Sequence, residues 1–360
     1  MSDRENKERY TMYEHGGDIY RREVRLDFSA NLNFLGMPES VRRAAREGAA
    51  HADCYPDIRC EALSRAIAAR EQVSVEQVLC GNGATDLIFT LALAERPHRA
   101  VVFAPTFHEY TQALEAVGCE IIFCPLRAEE EFCYDRHVLS LLPEDVDMLV
   151  LCNPNNPTGQ TADRALLREI LETCQARNIC LLLDECFIDF LEDPAAHTLV
   201  PQLSEYPCLF ILKAFTKLYA MAGLRLGYAL TADAGRMERL LAAHPPWSVS
   251  VPAQQAGLAA LEETEYVRRY RTLLAEERPW LKAALTDAGM RVFGSQANYV
   301  FFKGQWGLAA ALAGEGILIR DCSNYRGLTE GYYRVAVRSH AENVQLMEAF
   351  SRIAGKERRA

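Results

Sequence analysis

Two lysines and an arginine lie close together between residues 211 and 228. Lys213 and Lys217 follow an apolar run typical of a short buried strand, and Arg225 comes eight residues after Lys217, between two glycines. A lysine on a constrained apolar loop can lose its proton and form a Schiff base with a carbonyl compound, and an arginine suits a phosphate because its planar guanidinium offers paired hydrogen bonds. Aldehyde plus phosphate describes pyridoxal 5′-phosphate (PLP). From this segment alone, two surface lysines and an ion-paired arginine are the alternative.

A second segment, Gly81–Asp86, has the pattern of a phosphate-binding turn. It follows a short predicted strand and precedes an apolar run with helical periodicity. The N-terminus of a helix offers free N–H groups and the positive end of the helix dipole, which together make an anion site. The alternative is that Thr85 or Asp86 only caps the helix.

Two further strand ends carry polar residues. A predicted strand at Met148–Cys152 runs into Asn153–Gly159, where two Asn-Pro steps favour an ordered turn; a rigid loop without a ligand is the alternative. The predicted strand Ile179–Leu183 ends at Asp184. An acid at the carboxyl end of a buried strand lies where open α/β sheets bind their ligands.

The order of strand-like and helix-like runs predicts the architecture. They alternate through the middle of the chain, which predicts an α/β fold with a mostly parallel sheet covered by helices on both faces. After the junction HPPWS, a long charged helix and several short strands predict a smaller α+β domain. We therefore predict an N-terminal segment at 1–38 that lines the site, a large domain at 39–244 and a small domain at 245–360.

Four polar residues outside the predicted large domain are candidates for substrate binding. His15 precedes two glycines and Asn33 lies in a turn-rich run, so each is either structural or part of a pocket. Arg320 and Arg334 each lie at the edge of a predicted strand, separated by a turn-rich segment.

The composition limits the possible partners and locations. The chain has 360 residues, 49% of them hydrophobic, and a net charge of −10, which argues against nucleic acid and anionic membranes as partners. No apolar run reaches the roughly 20 residues of a membrane span, and the charged N-terminus does not have the pattern of a signal peptide. Twelve scattered cysteines without a Cys-x-x-Cys pair indicate neither a metal site nor a disulfide framework. We predict a cytoplasmic protein.

Taken in order, these segments resemble the fold-type I PLP enzymes, the aspartate aminotransferase superfamily. The resemblance covers nearly the whole chain. It implies a large domain with a mostly parallel seven-stranded sheet between helices, a smaller α+β domain and PLP as the cofactor. It also implies a homodimer with shared active sites, in which Tyr55 reaches the partner subunit's cofactor.

The resemblance also implies a role for each matching residue. Lys217 binds the cofactor aldehyde and Asp184 pairs with the ring nitrogen, so these two are the expected catalytic residues. The full set expected to bind the cofactor is Tyr55, Gly83, Ala84, Thr85, Phe107, Asn156, Asp184, Phe187, Thr216, Lys217 and Arg225. The set expected to bind the substrate is His15, Asn33, Asn156, Arg320 and Arg334.

Within this superfamily, the chain is most similar to the threonine-phosphate decarboxylases of cobalamin biosynthesis. The stretches that carry this resemblance are HGGD, LDFSANLNFLG, DECFIDF, PPWSV and IRDCSNYRGL. Phe187 stands where most relatives have a tyrosine that bonds the ring oxygen. Ala214 and Lys213 depart from the Ser or Thr and the arginine that usually stand near the cofactor phosphate, and Asp18 replaces an asparagine.

The reaction implied is decarboxylation of L-threonine O-3-phosphate to (R)-1-aminopropan-2-yl phosphate. A decarboxylase must turn the departing carboxylate out of the ring plane without binding it tightly. We therefore expect Arg320 and Arg334 to bind the substrate's phosphate, helped by the His15 segment. The alternative is an aminotransferase for histidinol phosphate or a related amino acid, in which Arg334 binds the carboxylate. A third possibility is a non-catalytic PLP-fold protein.

Overall fold

The computed structural model describes residues 15–21 and 23–357. In this part of the chain the strands are β1 Leu26–Asp27, β2 Val78–Gly81, β3 Arg99–Ala104, β4 Glu120–Pro125, β5 Met148–Cys152, β6 Cys180–Asp184, β7 Leu209–Ala214, β8 Gly227–Thr231, β9 Arg291–Val292, β10 Tyr299–Lys303, β11 Ile317–Leu318, β12 Arg320–Asp321 and β13 Tyr332–Ala336. The α-helices are α1 Glu39–Ala49, α2 Glu61–Glu71, α3 Ala84–Glu95, α4 Glu109–Ala116, α5 His137–Leu141, α6 Arg164–Ala176, α7 Phe215–Leu218, α8 Ala234–Ala243, α9 Val251–Leu261, α10 Thr264–Asp287, α11 Leu308–Ala313 and α12 His340–Glu357.

The largest sheet has seven strands in the order β2-β8-β7-β6-β5-β3-β4. Its pairs are parallel from β7 across to β4, and only β8 runs antiparallel to its two neighbours. Strands β5 and β6 read MLVLC and CLLLD and are buried at every residue, as in a sheet that helices cover on both faces. The predicted mostly parallel, seven-stranded α/β sheet is therefore confirmed.

The crossover helices are amphipathic, and α6 shows why the chain folds back onto the sheet. Asp163 caps its N-terminus by accepting a hydrogen bond from the Leu166 amide at 2.8 Å. The helix then buries apolar side chains at spacings of three and four residues, namely Leu166, Leu167, Ile170, Leu171 and Cys174. This apolar face returns the chain to β6 next to β5.

The carboxyl ends of the parallel strands meet at one edge of the sheet. In the register, Cys152 at the end of β5 pairs with Asp184 at the end of β6, and Asp184 pairs with Leu212 of β7. The residues that follow these strand ends therefore converge, which is the arrangement that open α/β sheets use to bind ligands.

Two smaller sheets lie outside the seven-stranded one. β12, β13, β10 and β9 form an antiparallel sheet, and β1 pairs in parallel with β11. The short strands β11 and β12 follow each other closely in the chain but belong to different sheets: β11 bonds to β1, and β12 bonds to β13. The switch lies at Ile319 and sets where Arg320 points.

The described residues also bear on membranes, metals and disulfides. No helix within them combines the length and apolar character needed to cross a bilayer. In the same residues, no group of His, Cys, Asp and Glu is suited to hold a metal ion. All twelve cysteines lie in this part of the chain, and each is a free thiol.

Candidate active site

A cavity of about 240 Å³ lies at the carboxyl edge of the large sheet. Most of the residues singled out from the sequence line it: His15, Ala84, Thr85, Phe107, Asn156, Asp184, Phe187, Thr216, Lys217, Arg225, Arg320 and Arg334. They come from the N-terminal segment, the ends of five different strands of the large sheet, the loop before β8 and the small antiparallel sheet. The fold thus brings together residues that are more than 300 positions apart in the chain.

Lys217 lies on the single-turn helix α7, which directly follows β7. Asn33 fixes this turn: its backbone amide donates to the Lys217 carbonyl at 3.0 Å, and its side chain donates to the Leu218 carbonyl at 2.9 Å. Desolvation lowers the pKa of Lys217 to about 8, and the charges of Arg334 and Arg225 act in the same direction. A substantial share of this amine is therefore neutral and nucleophilic near physiological pH.

Asp184 is the buried acid of the cavity. The Tyr110 hydroxyl donates to its Oδ2 at 2.5 Å, and the Cys186 amide donates to its Oδ1 at 2.8 Å. Burial nevertheless raises the pKa of Asp184. A cation placed against this carboxylate would offset that desolvation.

The opposite end of the cavity is suited to a phosphate. Helix α3 begins at Ala84 after Gly83, which has φ +83°, and a Cβ at Gly83 would lie 2.6 Å from Nη2 of Arg225. Arg225 itself has a left-handed backbone with φ 56°, a conformation that non-glycine residues adopt mainly at special sites. Asp86 accepts hydrogen bonds from the Asn82 amide and from His244 and so closes the turn. The guanidinium and the first-turn amides therefore lie at one place.

Asn156 and the aromatic residues form the middle of the cavity. The Asn156 side-chain oxygen accepts hydrogen bonds from Arg334 and from Tyr325, the latter at 3.5 Å. Phe107 contacts Tyr110 edge to face at 5.6 Å between ring centroids, and Phe187 contacts Tyr299 in the same way at 5.1 Å. Phe187 thus provides an apolar wall without a hydroxyl.

Arg320 and Arg334 are directly opposite each other on β12 and β13. Because they are cross-strand partners, both side chains lie on one face of the sheet, and both line the cavity. Arg334 donates to Asn156 and to the Ser29 carbonyl, whereas its buried Nε finds no hydrogen-bond partner among the described residues. Two like charges in register are destabilising by themselves, so the pair indicates an anionic ligand.

Three of the predicted site residues are not among those that line the cavity. Gly83 lies behind the start of α3, where it gives Arg225 room. Asn33 is buried and bonded to the Lys217 turn, as described above. Tyr55 is 82% exposed and packs on Trp247 at 5.0 Å, away from the cavity of its own chain.

The structure also brings to the cavity residues that no sequence pattern indicates. Tyr110 supports Asp184, Tyr325 lies beside Asn156 and under the Arg320 guanidinium, and Glu109 lies near His15. The one signal available in the sequence is that Glu109 and Tyr110 follow the strand end at Pro105–Phe107. Nothing in the sequence shows which way the first turn of α4 faces.

Comparison with known proteins identifies the family. The model of the aminotransferase class I and II family matches residues 24–353. The chain belongs to this family. It is 39% identical to threonine-phosphate decarboxylase of Salmonella typhimurium, over 94% of this chain and 96% of that one. It is 33% identical to histidinol-phosphate aminotransferase of Anaeromyxobacter sp., over 91% and 90%.

The solved structures agree with the family assignment. Histidinol-phosphate aminotransferase from Clostridium acetobutylicum superposes with a TM-score of 0.86 at 28% identity and covers 92% of this chain and 99% of its own. The protein is therefore a PLP-dependent enzyme of the class I and II aminotransferase family, with the aspartate aminotransferase-like fold type I.

The cavity fits PLP on its own geometry. Lys217, with its lowered pKa, lines the same cavity as Asp184. A protonated ring nitrogen beside the Asp184 carboxylate would offset the free-energy cost of burying that charge. Gly83 leaves room for the Arg225 guanidinium, with which a Cβ at this position would clash, and so keeps the arginine beside the start of α3. Lys217 would hold the aldehyde, Asp184 the ring nitrogen and Arg225 the phosphate.

Proposed function

We propose that this enzyme decarboxylates L-threonine O-3-phosphate to (R)-1-aminopropan-2-yl phosphate. The observation that carries the proposal is the cross-strand pair of Arg320 and Arg334 facing the cavity. Two guanidinium groups match a phosphate dianion better than a single carboxylate. The similarity to a threonine-phosphate decarboxylase over most of the chain supports the same substrate.

Each of the main cavity residues has a different role in such a reaction. When bound, PLP supplies an electron-accepting ring for charge that develops at the substrate's Cα. Asp184 stabilises a positive charge at the ring nitrogen. Arg320 and Arg334 bind the phosphate, which leaves the carboxylate weakly held, and a weakly held group departs more easily as carbon dioxide. Lys217, with a pKa of about 8, can give a proton to the carbon that loses the carboxylate.

The test is to follow two products in the same samples. The purified, cofactor-loaded enzyme is incubated with L-threonine O-3-phosphate, and separately with histidinol phosphate plus 2-oxoglutarate. We expect carbon dioxide from the first mixture and little glutamate from the second. Rapid glutamate formation without carbon dioxide would overturn the proposal.

Transamination is the second candidate, and one contact favours it. The Arg334 guanidinium donates to Asn156, which the family resemblance places at the cofactor ring. Arg334 would therefore be in a position to bind the carboxylate of a substrate. The similarity to a histidinol-phosphate aminotransferase supports the same reading. The two-product experiment separates it from decarboxylation.

We also propose that the active unit is a homodimer in which Tyr55 completes the partner's site. Tyr55, Ile58 and Leu241 are each more than half exposed, and Trp247 packs against Tyr55. Large apolar side chains exposed in one cluster are typical of an interaction surface. Arg225 is exposed in the single chain, so the phosphate end of the cavity is open to such a contact.

A further inference from the structure

Glu109 is a buried acid of the cavity to which the proposed function gives no role. It is the first residue of α4 and lines the cavity together with Arg320 and Lys217. Its Oε1 lies 3.5 Å from Nε2 of His15, and its buried Oε2 finds no hydrogen-bond partner among the described residues. A buried polar atom of this kind costs free energy unless a ligand satisfies it.

The charges around Glu109 come from several elements. The neighbouring titratable and charged groups are His15 of the N-terminal segment, His108 directly before Glu109 in the chain, Asp184 at the end of β6, Lys217 on α7, Arg320 on β12 and Tyr325 in the loop after β12. Arg320 is one of the two arginines to which the proposed function assigns the substrate's phosphate. Glu109 therefore lies in the part of the cavity that the proposed function assigns to the substrate's phosphate.

Its protonation state decides what Glu109 can do there. Burial raises the pKa of Glu109 to about 7, against the lowering influence of Lys217 and Arg320. An ionised carboxylate would repel a phosphate dianion, whereas a neutral carboxyl group can donate a hydrogen bond to a phosphate oxygen. A second negative charge brought into the cavity would favour the neutral form further.

We propose that Glu109 is a specificity-determining residue that donates a hydrogen bond from its protonated carboxyl group to the phosphate of the substrate. This inference rests on the proposed phosphate substrate and adds a proton to its binding. Above neutral pH the enzyme then takes up a proton as the phosphate binds. The proton passes from solvent to the Glu109 carboxylate, and no bond of the substrate changes.

Two measurable consequences follow. At pH 8, where free Glu109 is mostly ionised, binding should take up close to one proton per ligand, about 0.9 if its pKa is near 7. Between pH 7.5 and 8.5 the affinity should fall roughly eightfold, because each ligand bound requires one proton. A phosphate monoester is already a dianion in this range, since its second pKa is about 6.

The experiment uses the cofactor-loaded enzyme and isopropyl phosphate. This probe carries the substrate's phosphate but neither amine nor carboxylate, so it cannot react. Calorimetric titration at pH 8 in two buffers of different ionisation enthalpy counts the protons taken up, and a pH series gives the affinity. The variants are Glu109→Gln, with His15→Gln and His108→Gln as matched controls for the neighbouring histidines.

The proposal requires proton uptake in the wild type and in both histidine variants, and little or none in Glu109→Gln. The affinity of Glu109→Gln for isopropyl phosphate should be nearly independent of pH. Binding of isopropyl phosphate to the wild type without proton uptake would refute it and leave the proposed substrate standing. Uptake that persists in Glu109→Gln, or that vanishes in either histidine variant while isopropyl phosphate still binds to it, would also refute it. If isopropyl phosphate does not bind to the wild type, both the Glu109 role and the phosphate site of the proposed function are wrong.

Discussion

Lys213 and Lys217 lie four residues apart at the end of β7, yet their surroundings shift their pKa values in opposite directions. Burial alone would lower the pKa of Lys213, but the negative charges of Glu71 and Glu185 raise it. Burial lowers the pKa of Lys217, and nearby arginines lower it further. Lys213 is therefore stabilised as a cation, whereas Lys217 loses its proton more readily than an ordinary lysine.

The Lys213 side is a closed network, here called the Lys213 cluster, of Lys213, Glu71, Glu185, Tyr228 and Thr198. The Lys213 ammonium lies 2.8 Å from one oxygen of Glu71 and 3.9 Å from Glu185. Tyr228 donates to the other Glu71 oxygen at 2.6 Å, and Thr198 donates to Glu185 at 2.6 Å. Each member of the cluster thus has a partner within the chain.

The cavity side differs in that two of the charged residues lining it each have a buried polar atom without a hydrogen-bond partner in the described part of the chain. Among the described residues, the Arg334 Nε and Glu109 Oε2 atoms have no hydrogen-bond partner, although both are buried. Buried polar atoms normally have a hydrogen-bond partner, so two such atoms in residues that line one cavity are explained by a ligand that binds there. The same strand end thus contributes to stability on one side and to ligand binding on the other.

The largest expected effect is the loss of covalent cofactor binding in Lys217→Ala. Borohydride reduction of the loaded wild type, followed by peptide mass mapping, should find the label on Lys217. Lys213→Met is the matched control and should keep the label, because Lys213 does not line the cavity. A label on Lys213 would reverse the comparison between the two lysines.

The lowered pKa of Lys217 predicts a pH dependence for the cofactor-free protein. Its rate of cofactor uptake should rise with the neutral amine, with a midpoint near pH 8. Between pH 8 and the unfolded value of 10.5, the unfolded chain holds the proton that the folded chain has released, so the free energy of unfolding should increase with pH. Stopped-flow absorbance and urea titrations measure these two quantities. A midpoint above pH 10 would show that Lys217 is an ordinary lysine.

The second largest effect concerns the Lys213 cluster. Lys213→Met leaves the buried Glu185 and the partly buried Glu71 without their cation and should lower the free energy of unfolding by about 3–5 kcal/mol. The double variant Lys213→Met/Glu71→Gln should recover part of this loss, because it removes both opposite charges. Urea unfolding measures the effect, and the cofactor-loading rate of the folded variants should stay close to that of the wild type. A single variant as stable as the wild type would contradict the structural role of the cluster.

The third effect tests the arginine pair. Arg320→Ala and Arg334→Ala each remove charge-assisted hydrogen bonds worth about 1.5–3 kcal/mol, so each should reduce kcat/KM for threonine phosphate by roughly ten- to 150-fold. The control is plain threonine, for which the reduction should be much smaller. If both variants lose activity equally on the two substrates, the arginines do not recognise the phosphate.

The sequence predicts the parts of this site that depend on strand ends. Asp184, Lys217 and the glycine turn each directly follow an apolar run, so local pattern suffices to place them at one edge of a parallel sheet. The roles of Glu109 and Tyr110 escape prediction, because they depend on how α4 is rotated against β6. The register of Arg320 with Arg334 cannot be predicted from the sequence either, because it depends on the chain changing sheets between β11 and β12.

The smallest expected effect extends the comparison to a second subunit. Tyr55→Phe removes one proposed hydrogen bond to the partner's cofactor and should weaken PLP retention by about 0.5–1.5 kcal/mol, which equilibrium dialysis against PLP can resolve. Tyr20→Phe is the matched control, since Tyr20 is also exposed, at 91%, and does not line the cavity. The Tyr55 hydroxyl does not line the cavity of its own chain, so an effect on PLP retention has to cross an interface between subunits. A fully active monomer in sedimentation experiments would rule out the shared site, and equal PLP affinities in the Tyr55 and Tyr20 variants would show that the tyrosine only packs against Trp247.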